Sequence, residues 1–178
     1  MIGFLKFVGI LNAAVWLGAT IFFLFGASPA LHSSEIQAVL TPKHFPYVSG
    51  VIIQIVADRF FYWLLACGFL ALSHLLAERL YLGKTAQRLG VGLVLGLLAT
   101  TLCLGLIVQP KIQLWHLRSH AVNYTLPQRE ASLKMVRAWS AFGWSLHFIL
   151  IAGLGIHLWR MANPPEQKRF VSPSQFRY

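Results

Sequence analysis

Between Arg137 and Arg160 the chain reads AWSAFGWSLHFILIAGLGIHLW, residues 138–159, and this stretch decides the fold. Its 22 residues include no aspartate, glutamate, lysine or arginine. At about 1.5 Å per residue, a helix of this length crosses the roughly 30 Å hydrocarbon core of a bilayer. The stretch therefore predicts a transmembrane helix, which is unusual in carrying His147 near its middle and His157 near its end.

The composition extends this interpretation to the whole chain. Of 178 residues, 57% are hydrophobic and 11% are charged, which is too apolar for an ordinary soluble domain. We predict an all-α integral membrane protein in which residues 1–162 form a bundle of four transmembrane helices. Residues 163–178 form a basic, proline-containing C-terminal tail. The four apolar runs predict spans at residues 7–25, 60–77, 89–108 and 138–159.

The charges indicate a lipid partner. There are 15 Lys and Arg against 5 Asp and Glu, a formal net charge of +10. The basic residues cluster at the ends of apolar runs and in the loops, so we expect contact with anionic lipid headgroups and no nucleic-acid binding. The two sides of the membrane carry 8 and 7 of the 15 basic residues, so the positive-inside rule hardly separates them. The shortness of the basic loop with Arg79, Lys84 and Arg88 between the second and third spans favours both termini in the cytoplasm.

Residues 27–58 interrupt the apolar pattern. Prolines disfavour a helix interior, because they lack the N–H donor and clash with the preceding turn. We therefore predict a loop at the membrane surface. The adjacent charges Asp58 and Arg59 mark its end, since such a pair is tolerated among headgroups and costly at mid-bilayer. The prolines of this segment are Pro29, Pro42 and Pro46.

The hydrophilic connection at residues 111–134 contains a helical pattern. Gln113, His116 and His120 recur on one helix face, opposite Ile112 and Trp115. This spacing predicts a short interfacial amphipathic helix between the third and fourth spans. His116 and His120 could also ligate zinc or copper, but no third ligand follows nearby, so a surface helix without metal is the alternative.

Two histidines suggest a cofactor site. The second and fourth spans run in the same direction, so His74 and His157 should lie at a similar depth. Two histidines at one depth on two helices are what a b-type haem requires. A structural role is the alternative, because Glu78 lies four residues after His74 and could orient its imidazole.

Other polar residues inside the spans have structural interpretations. Asn12 belongs to a polar stripe that should face the bundle, and His147 could stay neutral through a hydrogen bond with Asn12 or Ser145. Gly92 and Gly96 have the spacing that lets helices approach closely.

Sequence signatures of catalysis are absent from the chain. It contains no G-x-S-x-G, no H-E-x-x-H, no G-x-x-x-x-G-K and no paired carboxylates within one span. We therefore expect no catalysis and no cofactor, and interpret the chain as a scaffold or accessory subunit that meets partner membrane subunits. One alternative is a redox protein with haem on His74 and His157. Another is binding or passage of a small hydrophobic molecule.

Three stretches carry a family resemblance: LNAAVWLGATIFF at residues 11–23, HLLAERLYLGK at 74–84, and QPK at 109–111 leading to REASLKMVRAW at 129–139. On these motifs residues 4–160 resemble the bacterial four-helix family catalogued as domain of unknown function 4149, which is similar to transmembrane protein 205. The resemblance implies a four-helix fold and a membrane location, which we expect to be the bacterial inner membrane. It implies no activity.

The chain departs from the family pattern at the last helix. Members usually follow an arginine-rich entry with His-Gly-x-Ser-x-x-x-Asn. Here Ser140, Gly143 and His147 occupy the positions of the histidine, serine and asparagine. The resemblance therefore implies that any polar site of the family is altered or lost.

Overall fold

A computed structural model describes the backbone at residues 2–82 and 88–163, and the side chains at residues 3–40, 44–80 and 89–163. The predicted tail, apart from Asn163, lies outside the described residues, as does Lys84. The side chain of Arg88 also lies outside them.

The described residues are helical almost throughout. Two π-helical turns, Phe23–Ala27 and Leu104–Val108, join α1 to α2 and α4 to α5. Four helices are long and apolar enough to cross a membrane: Gly3–Ala30, His44–Leu80, Leu89–His120 and Leu126–Ala162. The prediction of an all-α chain with four such helices is confirmed. The α-helices are α1 (Ile2–Phe22), α2 (Ser28–Ala30), α3 (Ser34–Leu82), α4 (Arg88–Cys103), α5 (Gln109–His120) and α6 (Leu126–Ala162).

The helices contact one another in antiparallel pairs. On α1 the side chain of Asn12 donates to the carbonyl of Cys67 at 3.0 Å, and further along Phe23 stacks on Phe60 at 4.4 Å between ring centroids. The partner numbers fall as the α1 numbers rise, so α1 and α3 run in opposite directions. Both α1 and α4 contact α3 and α6, and α5 contacts the same two helices.

The interior is apolar and centred on Trp16, which is 0% exposed. Trp16 packs in one cluster with Leu64, Val94 and Leu150, so the four long helices all contribute to it. The outer surface is also apolar, with many exposed side chains such as Phe69. An apolar exterior around an apolar core is the arrangement that a lipid environment stabilises.

Buried polar side chains are satisfied mostly by backbone carbonyls. Thr20 and Thr101 each donate to the carbonyl four residues earlier, at 2.8 Å and 2.9 Å. Asn12 is buried and bonds across to α3, so it faces the interior as predicted. Such pairing removes the cost of unsatisfied polar groups in an apolar medium.

The loop predicted for residues 27–58 is wrong: residues 27–30 are already helical, and a turn at residues 31–33 leads to a new helix at Ser34. There α3 begins and continues through positions 42 and 46 for 49 residues, or about 74 Å at about 1.5 Å per residue. The start has a helix-capping signal, because the hydroxyl of Ser33 accepts from the N–H of Ile36 at 3.5 Å. Hydrogen bonding to Ser33 also lowers the pKa of the Glu35 carboxyl in the first turn.

Contacts with α5 hold α3 in place beyond its prolines. Gln113 donates to the Asp58 carboxylate at 3.1 Å, and Gln109 donates to the carbonyl of Gln54 at 3.3 Å. The side chains of Ser49 and Gln54 are buried. Proline propensity alone predicts a loop, but these tertiary contacts stabilise the helix. Arg59, beside Asp58, is exposed.

The helix predicted around His116 is present as α5. It is not a separate element, however, because the π-helical turn Leu104–Val108 connects it directly to α4. Its side chains His116 and Ser119 are buried. The location of α5 at a membrane surface stays a prediction.

The turn between α5 and α6 is tied down by hydrogen bonds. Arg129 donates to the carbonyls of Tyr124 at 3.1 Å and Val122 at 3.0 Å. Thr125 and Gln128 form a capping box at the start of α6. These bonds fix how α6 returns along α5.

The close helix contact predicted at Gly92 and Gly96 is not observed among the described residues. Beside Gly92 and Gly96 no atom lies within 4 Å of an added Cβ, so no helix of the described chain approaches them. A Cβ added to Gly105 would instead overlap the ring of Phe61. One close approach therefore occurs between α3 and the π-helical turn after α4.

Candidate functional site

A cavity of about 650 Å³ lies between the helices. It is enclosed by the α1–α2 segment, α3, the α4–α5 segment and α6, so all four long helices contribute to its wall. Ligand pockets in proteins span about 300–1,000 Å³. The cavity therefore has the size of a small-molecule site.

The inner part of the cavity is apolar. Its lining includes Phe23, Phe60, Leu64, Leu104 and Val108. Leu64 is only 2% exposed, which places this end deep among the helices.

Both π-helical turns form part of the wall. Phe23 comes from the first turn, and Leu104, Gly105 and Val108 come from the second. A π-helical turn adds a residue to a helix and frequently occurs at functional sites. Two such turns beside one cavity are independent support for a site at this place.

Small residues keep the wall close-packed. A Cβ added to Gly143 would lie 3.2 Å from Cγ1 of Val108, and one added to Gly50 would overlap the ring of His116. Both glycines line the cavity. Any larger side chain would have to displace its neighbour or extend into the cavity.

The outer part of the cavity is polar. Arg137 and His32 line it and are exposed, as are Pro29 and Pro46. These residues lie at the end of the molecule away from the start of α1 and the end of α6. The cavity therefore has an apolar inner end and a polar mouth.

Three cavity histidines each make the same kind of local hydrogen bond, from Nδ1 to a backbone carbonyl earlier in the chain. Nδ1 of His147 lies 2.8 Å from the carbonyl of Gly143, Nδ1 of His120 lies 3.0 Å from that of His116, and Nδ1 of His32 lies 3.1 Å from that of Ser28. In each case the carbonyl belongs to the residue four positions earlier. The hydrogen bond of His147 therefore goes to Gly143, and neither Asn12 nor Ser145 is its partner.

His116 is the most buried of the cavity histidines, at 6% exposed. Its ring stacks on Tyr47 with centroids 5.7 Å apart, and its Nε2 lies 3.4 Å from the carbonyl of Pro46. Its Nδ1 is buried and has no hydrogen-bond partner among the described residues. These contacts hold the ring between α5 and the proline-containing part of α3.

The predicted metal pair is brought together. The rings of His116 and His120 have centroids 4.7 Å apart, and Ser119 lies 2.9 Å from Nδ1 of His120. Within residues 2–82 and 88–163, no group of three or more His, Cys, Asp or Glu is arranged to hold a metal ion. The pair offers a metal two protein ligands, and metal binding there stays a prediction.

The predicted haem pair lies outside the cavity, near the termini. His74 and His157 are both buried and lie near each other. Nε2 of His74 donates to the carbonyl of Leu5 at 2.8 Å. A Cβ added to Gly9 of α1 would lie 2.7 Å from the His74 ring.

The hydrogen bond of His74 leaves one ring nitrogen available to a haem. Nε2–H of His74 is bonded to the Leu5 carbonyl, so axial ligation by His74 would go through Nδ1. Glu78 and Arg160 also take part in interactions. Haem ligation by His74 and His157 stays a prediction.

The sequence did not indicate the cavity itself. His32 and Arg137 had been placed in a loop and at a span boundary, and neither lies in a recognisable motif. The two π-helical turns have no sequence signature. The one signal in the sequence for this cavity is a set of glycines that line its wall: Gly50, Gly105 and Gly143.

Comparison with known proteins gives a family match. The family described as “Domain of unknown function (DUF4149)” matches residues 11–120. This range is more than half of the chain and runs from α1 to the end of α5. No curated protein and no solved structure matches the chain.

Proposed function

The chain belongs to the DUF4149 family, and we propose that it is a four-helix membrane protein that binds a small apolar molecule in the cavity between its helices. In this proposal the helices form a bundle in the bacterial inner membrane, with both termini in the cytoplasm. Anionic headgroups meet the exposed basic side chains, such as Arg79 and Lys111.

The cavity is the observation that carries this proposal. Its inner wall of Phe23, Phe60, Leu64 and Leu104 offers an apolar molecule many van der Waals contacts. Its mouth offers imidazole and guanidinium groups to a polar end. Known small-molecule sites combine a mostly apolar lining with a few polar groups in the same way.

Two hypotheses from the sequence stay predictions beside this one. An accessory subunit would need a partner surface, and haem binding would need Nδ1 of His74 as the ligand, because Nε2 donates to the carbonyl of Leu5. Both can be tested on purified protein, since a haem protein is coloured and a subunit co-purifies with its partners.

Filling the cavity should abolish binding. Ala57 lines the cavity from α3, and Ala57→Trp should place an indole in the space that the ligand needs. We expect labelling of cavity peptides by an apolar diazirine probe, in protein reconstituted in lipid nanodiscs, to fall about tenfold or more. Mass spectrometry of the labelled peptides measures the change.

Ala66→Trp is the matched control, because Ala66 lies on the same helix and is exposed. It introduces the same side chain outside the cavity and should leave the labelling of cavity peptides unchanged. Equal labelling in wild type and Ala57→Trp would contradict the proposal, provided that the variant keeps its helix content and monodisperse elution.

A further inference from the structure

Hydrogen bonds to backbone carbonyls fix the tautomers of His147 and His120. A backbone carbonyl can only accept, so the Nδ1 atom that faces it must carry the proton. This holds for His147 with Gly143 and for His120 with His116. In the neutral ring the second nitrogen, Nε2, then has a lone pair and can only accept a hydrogen bond.

His147 lines the cavity beside apolar side chains. Its ring stacks on Phe23 with centroids 5.9 Å apart, and it lines the cavity together with Phe60 and Leu104. Among the hydrogen bonds of the described residues, none reaches Nε2 of His147. An acceptor in apolar surroundings is stabilised by a donor, and the protein supplies none there.

We infer that the molecule bound in the cavity carries a hydroxyl group at its inner end, which donates a hydrogen bond to Nε2 of His147. This inference rests on the proposed binding function and specifies its ligand class as an apolar alcohol or phenol. The apolar wall holds the body of the molecule, and the acceptor orients its hydroxyl.

An anionic ligand is the main competitor, because Arg137 also lines the cavity. Arg137 is exposed, so water screens its charge, and it lies ten residues before His147 on α6, or about 15 Å along the helix. Ser140 lies near it and can both donate and accept. Arg137 and Ser140 therefore both lie toward the mouth, away from His147.

The test uses three photoreactive probes with the same diazirine-bearing dodecyl chain. One ends in a hydroxyl, one in a methyl ether that cannot donate, and one in a carboxylate. Each is added to full-length protein in nanodiscs, and labelling of cavity peptides is compared with labelling of the exposed face around Ala66. We expect the hydroxyl probe to label the cavity about five- to tenfold more than the ether.

Two substitutions at one position identify the acceptor. His147→Asn keeps an amide N–H near the position of Nδ1 but has no group near Nε2, so it should equalise the hydroxyl and ether probes. His147→Gln reaches the position of Nε2 with an oxygen that accepts, so it should restore the preference. If His147 had only a structural role, the two variants would show the same ratio of hydroxyl-probe to ether-probe labelling.

The outcomes distinguish the inference from the proposed function. Strong cavity labelling without preference between hydroxyl and ether would overturn the inference and leave the binding function standing. A preference for the carboxylate would overturn the inference in favour of an anion at Arg137. If no probe labels the cavity above the face around Ala66, the proposed function itself fails.

Discussion

Trp16→Ala should lower the free energy of unfolding by about 2 kcal/mol or more, because it removes the centre of the core. Trp16 is 0% exposed and packs on residues of all the other long helices. Replacing a buried Trp by Ala costs about 3–5 kcal/mol in soluble proteins. The loss should be smaller here, since Nε1 of Trp16 has no hydrogen-bond partner among the described residues and its removal relieves that cost.

Trp63→Ala is the control for this prediction. Trp63 lies on α3 and is 52% exposed, so its truncation removes few internal contacts. Unfolding followed by tryptophan fluorescence or circular dichroism in mixed micelles should show a change of less than about 1 kcal/mol. If both variants lose the same stability, the buried cluster around Trp16 is not the core of the protein.

Gly105→Leu should destabilise the protein by about 2 kcal/mol and distort the cavity. A Cβ at this position overlaps the ring of Phe61, including its attachment carbon, so α3 or the ring must move. Overpacking of this kind costs about 1–3 kcal/mol, and the gain in helix propensity over glycine offsets at most about 1 kcal/mol. Thermal unfolding in detergent measures the loss.

Gly96→Leu is the matched substitution on the same helical run. No atom lies within 4 Å of an added Cβ at Gly96, so only the gain in propensity remains. We expect Gly96→Leu to be neutral or slightly stabilising. A destabilisation equal to that of Gly105→Leu would mean that the face of Gly96 packs against something in the folded protein.

Hydrophobic runs predicted the four long helices because the signal is local. A stretch such as residues 138–159 needs only its own composition to specify a helix in lipid. Its extension back to Leu126 could not be read in the same way, since the first turns of α6 are polar. A capping box with Thr125 marks that start, and this signal was present in the sequence.

The length of α3 shows where local rules fail. Pro46 disfavours a helix by itself, yet α3 passes through it while α5 lies alongside. The hydrogen bonds of Gln109 and Gln113 to α3 join residues about 55 positions apart. No window of sequence contains both partners, so propensity is overridden by a contact that only the fold reveals.

Histidine pairs were easier to find than the site. Helix periodicity predicted that His116 and His120 lie on one helix face, and span direction predicted that His74 and His157 lie at a similar depth. In the structure both pairs are close together. Neither argument could give the hydrogen bonds of the rings, which decide what each nitrogen can do. The cavity forms where all four helices and the two π-helical turns pack together, so it cannot be predicted from any single segment of sequence.

The two ends of the molecule have different roles in this account. Near the termini, Leu5 and Gly9 of α1 close tightly around His74. At the other end the same four helices enclose an open space. The tight end holds the helices together, and the open end is available for a ligand.

The most direct measurement is mass spectrometry of the molecules that stay with the full-length protein when it is extracted from its own membrane in polymer-bounded lipid particles. We expect an apolar molecule that bears a hydroxyl group to co-purify with the wild type and with Ala66→Trp. Its amount should be lower by about tenfold or more in Ala57→Trp. Identical sets of bound molecules in all three proteins would contradict this expectation, because the cavity would then hold nothing specific.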